Sequence, residues 1–168
     1  MIAHKVLFLV LDGISDRPCE ALNGLTPLAA ARTPVLDRIA AEGVCGIMDS
    51  IGPGIRPGSD TSHLSLLGYP PQEYYTGRGP LEAEGTGIHM TAGMIGFRCN
   101  FATVDANGLI TDRRAGRISG TEPLAEAIRE GVDLSALGLA FRFESGAGHR
   151  AALALVGEGL GDKVSSND

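Results

Sequence analysis

The clearest pattern along the chain is a continuous apolar run from Val6 to Leu11, which is followed by Asp12 and Gly13. Strands that are buried on both faces carry apolar residues in succession, whereas half-exposed strands alternate apolar and polar residues. Residues 4–11 are therefore predicted to form a buried strand, with Asp12 at its carboxyl end.

An amphipathic helix is predicted from Pro34 to Glu42, where apolar and polar residues follow a helical period. Thr33 supplies a hydroxyl at the N-cap and Gly43 ends the helix. Thr26-Pro27 has the same form and predicts a further helix start. A short strand is predicted over residues 44–48. Strand, helix and strand in this order imply a parallel crossover, which indicates an α/β fold with a helix-covered parallel sheet.

The pattern changes beyond about residue 93, where short predicted strands follow one another. The expected elements are strands over 95–104 and 109–111 with a turn at 105–108, a helix over 123–130, and strands over 139–144 and 151–156 with a turn at 146–148. Two strand pairs after a crossover unit predict a second module of α+β type that begins near residue 93.

Charge and hydropathy argue against several classes of protein. The 168-residue chain has a formal net charge of -6, whereas nucleic-acid and membrane-surface binding require clustered Lys and Arg. The apolar run is far shorter than the roughly 20 residues that cross a bilayer, and its short length and flanking residues lead us to expect no signal peptide. We therefore expect a cytoplasmic protein. The widely separated Cys19, Cys45 and Cys99 are expected to be reduced thiols.

Asp12 and Ser59 each have a structural and a functional interpretation. Asp12 could hydrogen-bond its turn, or its carboxylate could bind a divalent cation at the strand end. Ser59 follows Gly58 and begins a predicted helix over residues 59–67, which Gly68 closes. Its hydroxyl could be the helix N-cap. A hydroxyl beside free backbone N–H groups could also accept a phosphoryl group, especially with a bound cation.

Several basic residues are candidates for binding a small anion. Arg113, Arg114 and Arg117 surround a glycine, which suits bidentate recognition of phosphate or carboxylate, although a solvated loop would look the same. Arg98 and the pair His149-Arg150 are further candidates. His63 lies four residues after Ser59 and hence on the same helical face; it could orient the site or simply lie on the helix surface.

Five stretches together carry a family resemblance: Ile51–Leu64, Tyr74–Pro80, Phe97–Val104, Asp112–Ile118 and Gly148–Arg150. They strongly resemble the archaeal-type 2,3-bisphosphoglycerate-independent phosphoglycerate mutases of the alkaline phosphatase superfamily. The resemblance implies a glycolytic enzyme that interconverts 2-phosphoglycerate and 3-phosphoglycerate through a phosphoserine intermediate. It also implies an alkaline-phosphatase-like parallel sheet with an inserted α+β domain.

The resemblance assigns roles to residues of this sequence. Asp12 and Ser59 resemble ligands of two divalent metal ions, which would be manganese, magnesium or zinc, and Ser59 resembles the serine that is transiently phosphorylated. Residues 1–92 would form part of the metal-binding domain, and residues 93–168 would form part of the inserted substrate-binding domain. The implied substrate contacts are Arg98, Arg113, Arg114, Arg117, His149 and Arg150.

The departure from the family is the length of the chain. Family members are roughly twice as long or more, and their remaining Asp and His metal ligands lie in the part that has no counterpart here. The histidines are His4, His63, His89 and His149, and none lies in an Asp-His cluster. We therefore expect an amino-terminal portion of the enzyme, inactive alone, that self-associates through surfaces normally covered. The alternatives are another metal-dependent phosphatase or phosphotransferase of the superfamily, or a non-catalytic remnant that binds phosphorylated metabolites.

Overall fold

The computed structural model describes residues 5–161 and 163–165. The first residue of the predicted strand 4–11 therefore lies outside the described residues. The chain divides by its internal contacts into two compact units, Met1–Glu73 and Tyr74–Asp168. No helix among the described residues is long and apolar enough to cross a membrane.

The helices of the first unit begin and end where local capping signals predict. They are α1 (Pro27–Ala30), α2 (Pro34–Glu42) and α3 (Ser59–Leu66), with a 3-10 turn at Glu20–Leu22. The hydroxyl of Thr26 accepts a hydrogen bond from the backbone N–H of Ala29 at 3.1 Å, as an N-cap does. Thr33 instead donates to the Asp37 carboxylate at 2.9 Å. The predictions of both helix starts are confirmed.

The two predicted strands of this unit are not formed. Residues 5–11 and 44–48 carry no regular secondary structure, and Val6 and Val44 are fully or almost fully exposed. The prediction of a buried strand is therefore wrong for residues 5–11 as they stand here. An apolar run specifies burial only when neighbouring strands accept its hydrogen bonds and cover its faces, and two strands alone are marginal in water.

The second unit is built around an antiparallel sheet. Its helices are α5 (Arg78–Gly85) and α6 (Glu122–Gly131), and α4 (Pro71–Tyr74) lies where the chain divides. The strands are β1 (Met94–Asn100), β2 (Thr103–Val104), β3 (Ile110–Asp112), β4 (Ala140–Ser145) and β5 (Arg150–Val156), with 3-10 turns at Ala115–Arg117 and Ser135–Leu137. The strand order is β1-β5-β4 in one sheet and β2-β3 in the other.

Both predicted hairpins form, but the first predicted strand is divided. β2 pairs with β3 and β4 pairs with β5, as expected, whereas β1 pairs with β5, so that Asn100 lies opposite Arg150. The division falls at Phe101, whose N–H donates to the carbonyl oxygen of His149 at 2.7 Å. The sequence of apolar and polar residues from 95 to 104 does not show where the chain stops pairing with β5 and begins to pair with β3.

The three-stranded sheet lies between α5 and α6. Ala152 and Ala154 pack on Ala83 of α5, whereas Ala151 and Phe143 pack on Ala125 of α6. Alternate residues of β5 thus face opposite layers, as the two-residue period of a strand requires. The central strand can be covered on both faces because its inward residues are mostly alanine.

The architecture is thus mixed α/β with small antiparallel sheets, and the described residues form no parallel sheet. The division between the two units falls before α5, earlier than the predicted domain boundary at residues 92 and 93. The reason is that α5 packs against β1 and β5. The domain assignment 1–92 and 93–168 stays a prediction.

Candidate functional site

Ser59 is the first residue of α3, and Gly58 rather than Ser59 is the N-cap. The structural prediction that Ser59 itself caps the helix is therefore wrong by one position. The N–H of Gly58 donates to the hydroxyl of Thr61 at 3.0 Å, and this hydroxyl donates back to the carbonyl oxygen of Gly58 at 3.1 Å. Because Thr61 closes the helix start, the exposed side chain of Ser59 is left for another role.

His63 contacts Ser59 through the backbone. Its Nδ1 lies 2.6 Å from the carbonyl oxygen of Ser59, so Nδ1 carries the proton that is donated. The prediction that these residues share a helical face is confirmed. The contact orients the imidazole along the helix and does not involve the Ser59 hydroxyl.

Asp12 lies in the turn that follows residues 5–11, and its side chain is exposed. Gly13 has a φ of 73°, a left-handed conformation that glycine adopts without steric cost. Carboxylate and hydroxyl oxygens are suitable ligands for a hard divalent cation. Among the described residues, however, no group of three or more His, Cys, Asp or Glu side chains could hold a metal ion. Asp12 and Ser59 therefore do not form a complete metal site with their neighbours.

The structure brings all of the predicted basic residues of the second unit together. They line one open cleft of about 1270 Å³, formed by the end of β1, the start of β5, the preceding turn and the loop after β3. The basic side chains of its lining are Arg78, Arg98, Arg113, Arg114, Arg117, His149 and Arg150. Arg78 was not among the predicted residues. The signal that could have found it is its place in the stretch Tyr74–Pro80.

The loop that carries Arg113, Arg114 and Arg117 is held by Asp112. The Asp112 carboxylate accepts hydrogen bonds from the backbone N–H of Arg114 at 2.8 Å and of Gly116 at 2.6 Å. These bonds, in that order, lower the pKa of Asp112 below its usual value, with smaller contributions from the charges of His149 and Arg114. The carboxylate is therefore ionised at neutral pH and acts as the acceptor that closes the loop.

The same loop has an unusual backbone. Ala115, Gly116 and Arg117 have φ values of 44°, 62° and 58°, so three successive residues are left-handed. For a residue other than glycine this conformation costs about 1–2 kcal/mol. Ala115 and Arg117 adopt it only because surrounding interactions impose it, and the bonds to Asp112 are two of these interactions. Strained backbone of this kind is concentrated at functional sites.

Arg98 is held at the α5 side of the cleft. Its Nε lies 3.8 Å from the Glu82 carboxylate, which is close enough for an ion pair but too long for a hydrogen bond. The Nε atom is buried and, within the part of the chain that the structure describes, has no hydrogen-bond partner. A buried unsatisfied donor is costly, so an anion that reached Arg98 would replace a missing interaction.

The turn before β5 positions His149 and Arg150. The N–H of Gly146 donates to the carbonyl oxygen of Arg150 at 2.8 Å, and the hydroxyl of the buried Thr121 donates to the carbonyl oxygen of Gly148 at 3.2 Å. The turn is thus fixed to both β5 and the start of α6. Cys99 also lines the cleft, and burial raises the pKa of its thiol.

The cleft has the composition of a binding site for a small anion. Six of its lining residues are arginines, namely Arg78, Arg98, Arg113, Arg114, Arg117 and Arg150, and no Asp or Glu of the described residues belongs to the lining. This concentration of positive charge occurs in a chain whose net charge is -6. Guanidinium groups bind carboxylate and phosphate through paired hydrogen bonds, so the composition of the cleft suits small acidic molecules.

The family model described as 2,3-bisphosphoglycerate-independent phosphoglycerate mutase matches residues 40–168. The chain belongs to this family, and the predicted family is confirmed. Proteins with this name from Methanoculleus marisnigri and Methanosphaerula palustris are 92% and 73% identical over all 168 residues. The chain spans 41% of the length of each of these two relatives.

Two solved structures are similar to this chain. The cofactor-independent phosphoglycerate mutase from Thermoplasma acidophilum is 49% identical with a TM-score of 0.53, over 91% of this chain and 40% of that protein. A protein from Pyrococcus horikoshii is 34% identical with a TM-score of 0.70, over 86% of this chain and 35% of that protein. The likeness to the Thermoplasma acidophilum enzyme agrees with the family, and the roles of the individual site residues stay predictions.

Proposed function

We propose that this chain forms the amino-terminal part of an enzyme that interconverts 2-phosphoglycerate and 3-phosphoglycerate. The observation that carries the proposal is the cleft, because the basic residues assigned to the substrate by family resemblance all line it. The proposed reaction is that of the family, and the arginines of the cleft would bind the acidic groups of the substrate.

The substrate would be held by its two acidic groups. Phosphoglycerate carries a carboxylate and a phosphate, and the phosphate alone bears about -1.5 to -2 charges at neutral pH. Two anionic groups on one small molecule require several guanidinium groups that point into the same space. The loop with Arg113, Arg114 and Arg117 and the β1–β5 side with Arg98 and Arg150 offer two separate groups of donors.

The proposed chemistry takes place at Ser59. Its hydroxyl oxygen would attack the phosphorus of phosphoglycerate, forming phosphoserine and releasing glycerate with a proton on the former ester oxygen. After glycerate turns, its other hydroxyl would attack the phosphoserine and restore Ser59. The exposed position of Ser59 at the start of α3 supports this role, because the free N–H groups and dipole of a helix N-terminus favour a phosphate.

Divalent metal ions, as manganese, magnesium or zinc, would be bound by oxygens of Asp12 and Ser59. When bound, such ions lower the pKa of a coordinated hydroxyl and stabilise charge on the phosphoryl group. Since the described residues contain no cluster of three ligands, the remaining ligands would come from the part of the relatives that this chain does not cover. On this proposal, the chain alone binds substrate but does not turn it over.

The part of the relatives that this chain does not cover would also complete the fold of the first unit. Residues 5–11 and 44–48 are exposed here and mostly apolar, and we propose that they are strands of a parallel, alkaline-phosphatase-like sheet in the longer protein. Residues 93–168 would then be part of an inserted α+β domain. A cytoplasmic location fits a glycolytic role.

The proposal is tested with a chimera in which this chain replaces the matching 168 residues of the Methanoculleus marisnigri relative. The chimera with manganese should interconvert the two phosphoglycerates, and the 168-residue chain alone should bind 3-phosphoglycerate without converting it. Release of inorganic phosphate by the chimera would instead indicate a phosphatase of the same superfamily. Binding by the chain with no activity of the chimera would favour a remnant that only binds metabolites.

A further inference from the structure

Asp112 places a negative charge beside the proposed anion-binding cleft. It is a carboxylate that directly precedes Arg113 and Arg114, and a negative charge at this place opposes the binding of another anion. At 4 Å two like charges repel by about 1 kcal/mol even in bulk water. A residue that served no other purpose here would weaken the proposed site.

Its hydrogen bonds explain what it does instead. The two carboxylate oxygens accept from two different backbone groups, one from Arg114 and the other from Gly116. The chain between them turns back, and the N–H of Arg117 donates to the carbonyl oxygen of Arg114 at 2.7 Å. The left-handed residues Ala115–Arg117 lie within this closed loop. Each oxygen of the Asp112 carboxylate thus holds one N–H group of the loop.

The neighbouring turn shows that an aspartate can hold two backbone N–H groups without arginines beside it. At the other end of the β2–β3 hairpin, one oxygen of Asp105 accepts from the backbone N–H of Asn107 at 2.8 Å and of Leu109 at 2.9 Å. Backbone hydrogen bonds lower the pKa of Asp105 as well. Each of the two aspartates thus stabilises a loop at one end of the hairpin by accepting two backbone hydrogen bonds. Of these two loops, the one at Asp112 carries residues that line the cleft.

We propose that Asp112 is a positioning residue of the anion site. By accepting hydrogen bonds on both carboxylate oxygens, Asp112 fixes the 113–117 loop and so keeps Arg113, Arg114 and Arg117 at the cleft. This inference rests on the proposed function for the identity of the anion. It predicts that removing a negative charge beside the cleft weakens anion binding, although electrostatics alone predicts the opposite.

The test uses Asp112→Asn, which leaves a single acceptor oxygen, with Asp105→Asn as the matched control. Binding of 3-phosphoglycerate and of inorganic phosphate to the 168-residue chain is measured by calorimetry. Asp112→Asn should weaken binding of 3-phosphoglycerate roughly tenfold or more. Asp105→Asn keeps an acceptor oxygen for both of its backbone hydrogen bonds and should leave this binding unchanged. Equal or tighter binding by Asp112→Asn would overturn the proposal.

A second measurement does not depend on the ligand. ¹⁵N relaxation reports fast backbone motion, and residues 113–117 should become mobile in Asp112→Asn but stay ordered in Asp105→Asn. Unchanged order of this loop in Asp112→Asn would overturn the positioning role. If the unmodified chain binds neither 3-phosphoglycerate nor phosphate, the proposed function fails, and loss of loop order would still support the structural hold by Asp112.

Discussion

Gly79 at the start of α5 lies so close to Gly96 of β1 that a Cβ built on Gly79 would overlap the carbonyl oxygen of Gly96. A Cβ on Gly96 would in turn lie 2.8 Å from the nitrogen of Pro80. The obstructing atoms are backbone, so they cannot move aside without shifting the helix or the strand. Because Arg78 directly precedes this contact, the two glycines determine how closely the helix brings it to the cleft.

Gly79→Ala should therefore destabilise the second unit. We expect a loss of about 1–3 kcal/mol or more in the free energy of unfolding, because an added methyl group in a tightly packed region forces backbone shifts. Gly85→Ala in the same helix is the control, since a Cβ there meets nothing within 4 Å and alanine favours helix. Urea unfolding of both variants measures the difference. Equal stability of the two variants would show that the contact between Gly79 and Gly96 has room for a methyl group.

The arginines of the cleft should contribute to anion binding individually. Arg113→Ala or Arg114→Ala should each weaken binding of 3-phosphoglycerate to the chain by about 1.5–3 kcal/mol, the range for a hydrogen bond to a charged group. Arg142→Ala is the control, because Arg142 is exposed on β4 and does not line the cleft. Calorimetry at two salt concentrations distinguishes binding at a specific site from general attraction of the anion to positive charge. The same loss in all three variants would contradict a specific site.

Ser59→Ala should abolish both phosphoserine formation and mutase activity in the chimera with the Methanoculleus marisnigri relative. The reason is that alanine has no oxygen to accept the phosphoryl group. Ser62→Ala, which removes a hydroxyl 3.1 Å from that of Ser50, should retain both. Mass spectrometry after rapid acid quenching locates the phosphate. Phosphate on another residue, with activity retained in Ser59→Ala, would exclude the proposed role.

Stability should fall with acid through Glu122 of α6, which pairs with Arg129 of the same helix and with Ser145 of β4. Glu122 accepts hydrogen bonds from Arg129 at 2.8 Å and from the Ser145 hydroxyl, and these bonds lower the pKa of Glu122. Because the pKa is lower in the folded than in the unfolded state, this contribution is complete above the unfolded pKa of about 4.3. It is lost as the pH falls through the lowered folded value.

Thermal unfolding of Glu122→Gln between about pH 6 and pH 3 checks this sign. The variant should be less stable than the unmodified chain at pH 6, and the difference should shrink toward pH 3. Glu130→Gln, which changes an exposed residue of the same helix, is the control and should be as stable as the unmodified chain at pH 6. A difference that grows with acid would contradict the assignment.

The exposed apolar side chains of the first unit should cause self-association of the chain. Val6, Leu7, Val44 and Ile47 are 89% exposed or more, and exposed apolar segments of this kind promote association. Light scattering should show an average mass that rises with protein concentration. The double variant Val6→Lys, Leu7→Glu should have a lower average mass at the same concentration. The chimera should be less prone to associate. A monomer at all concentrations would refute the expectation.

Local chemistry determined much of the secondary structure. The boundaries of α2 follow from Thr33-Pro34 and Gly43, and the β2–β3 turn follows from Asp105 and Gly108, because caps and turns involve residues only a few positions apart. The sequence also established the family, and it identified six residues that line one cleft. These inferences required no knowledge of how distant segments meet.

Only the tertiary structure decided which segments pair and which residues surround the cleft. The pairing of Asn100 with Arg150 brings Arg98 and the turn before β5 to one place, and the contact of Gly79 with Gly96 adds Arg78. The apolar run after Lys5 predicted a buried strand, yet it remains uncovered here. A sequence specifies which surfaces favour burial, but long-range packing decides whether a partner is there to bury them.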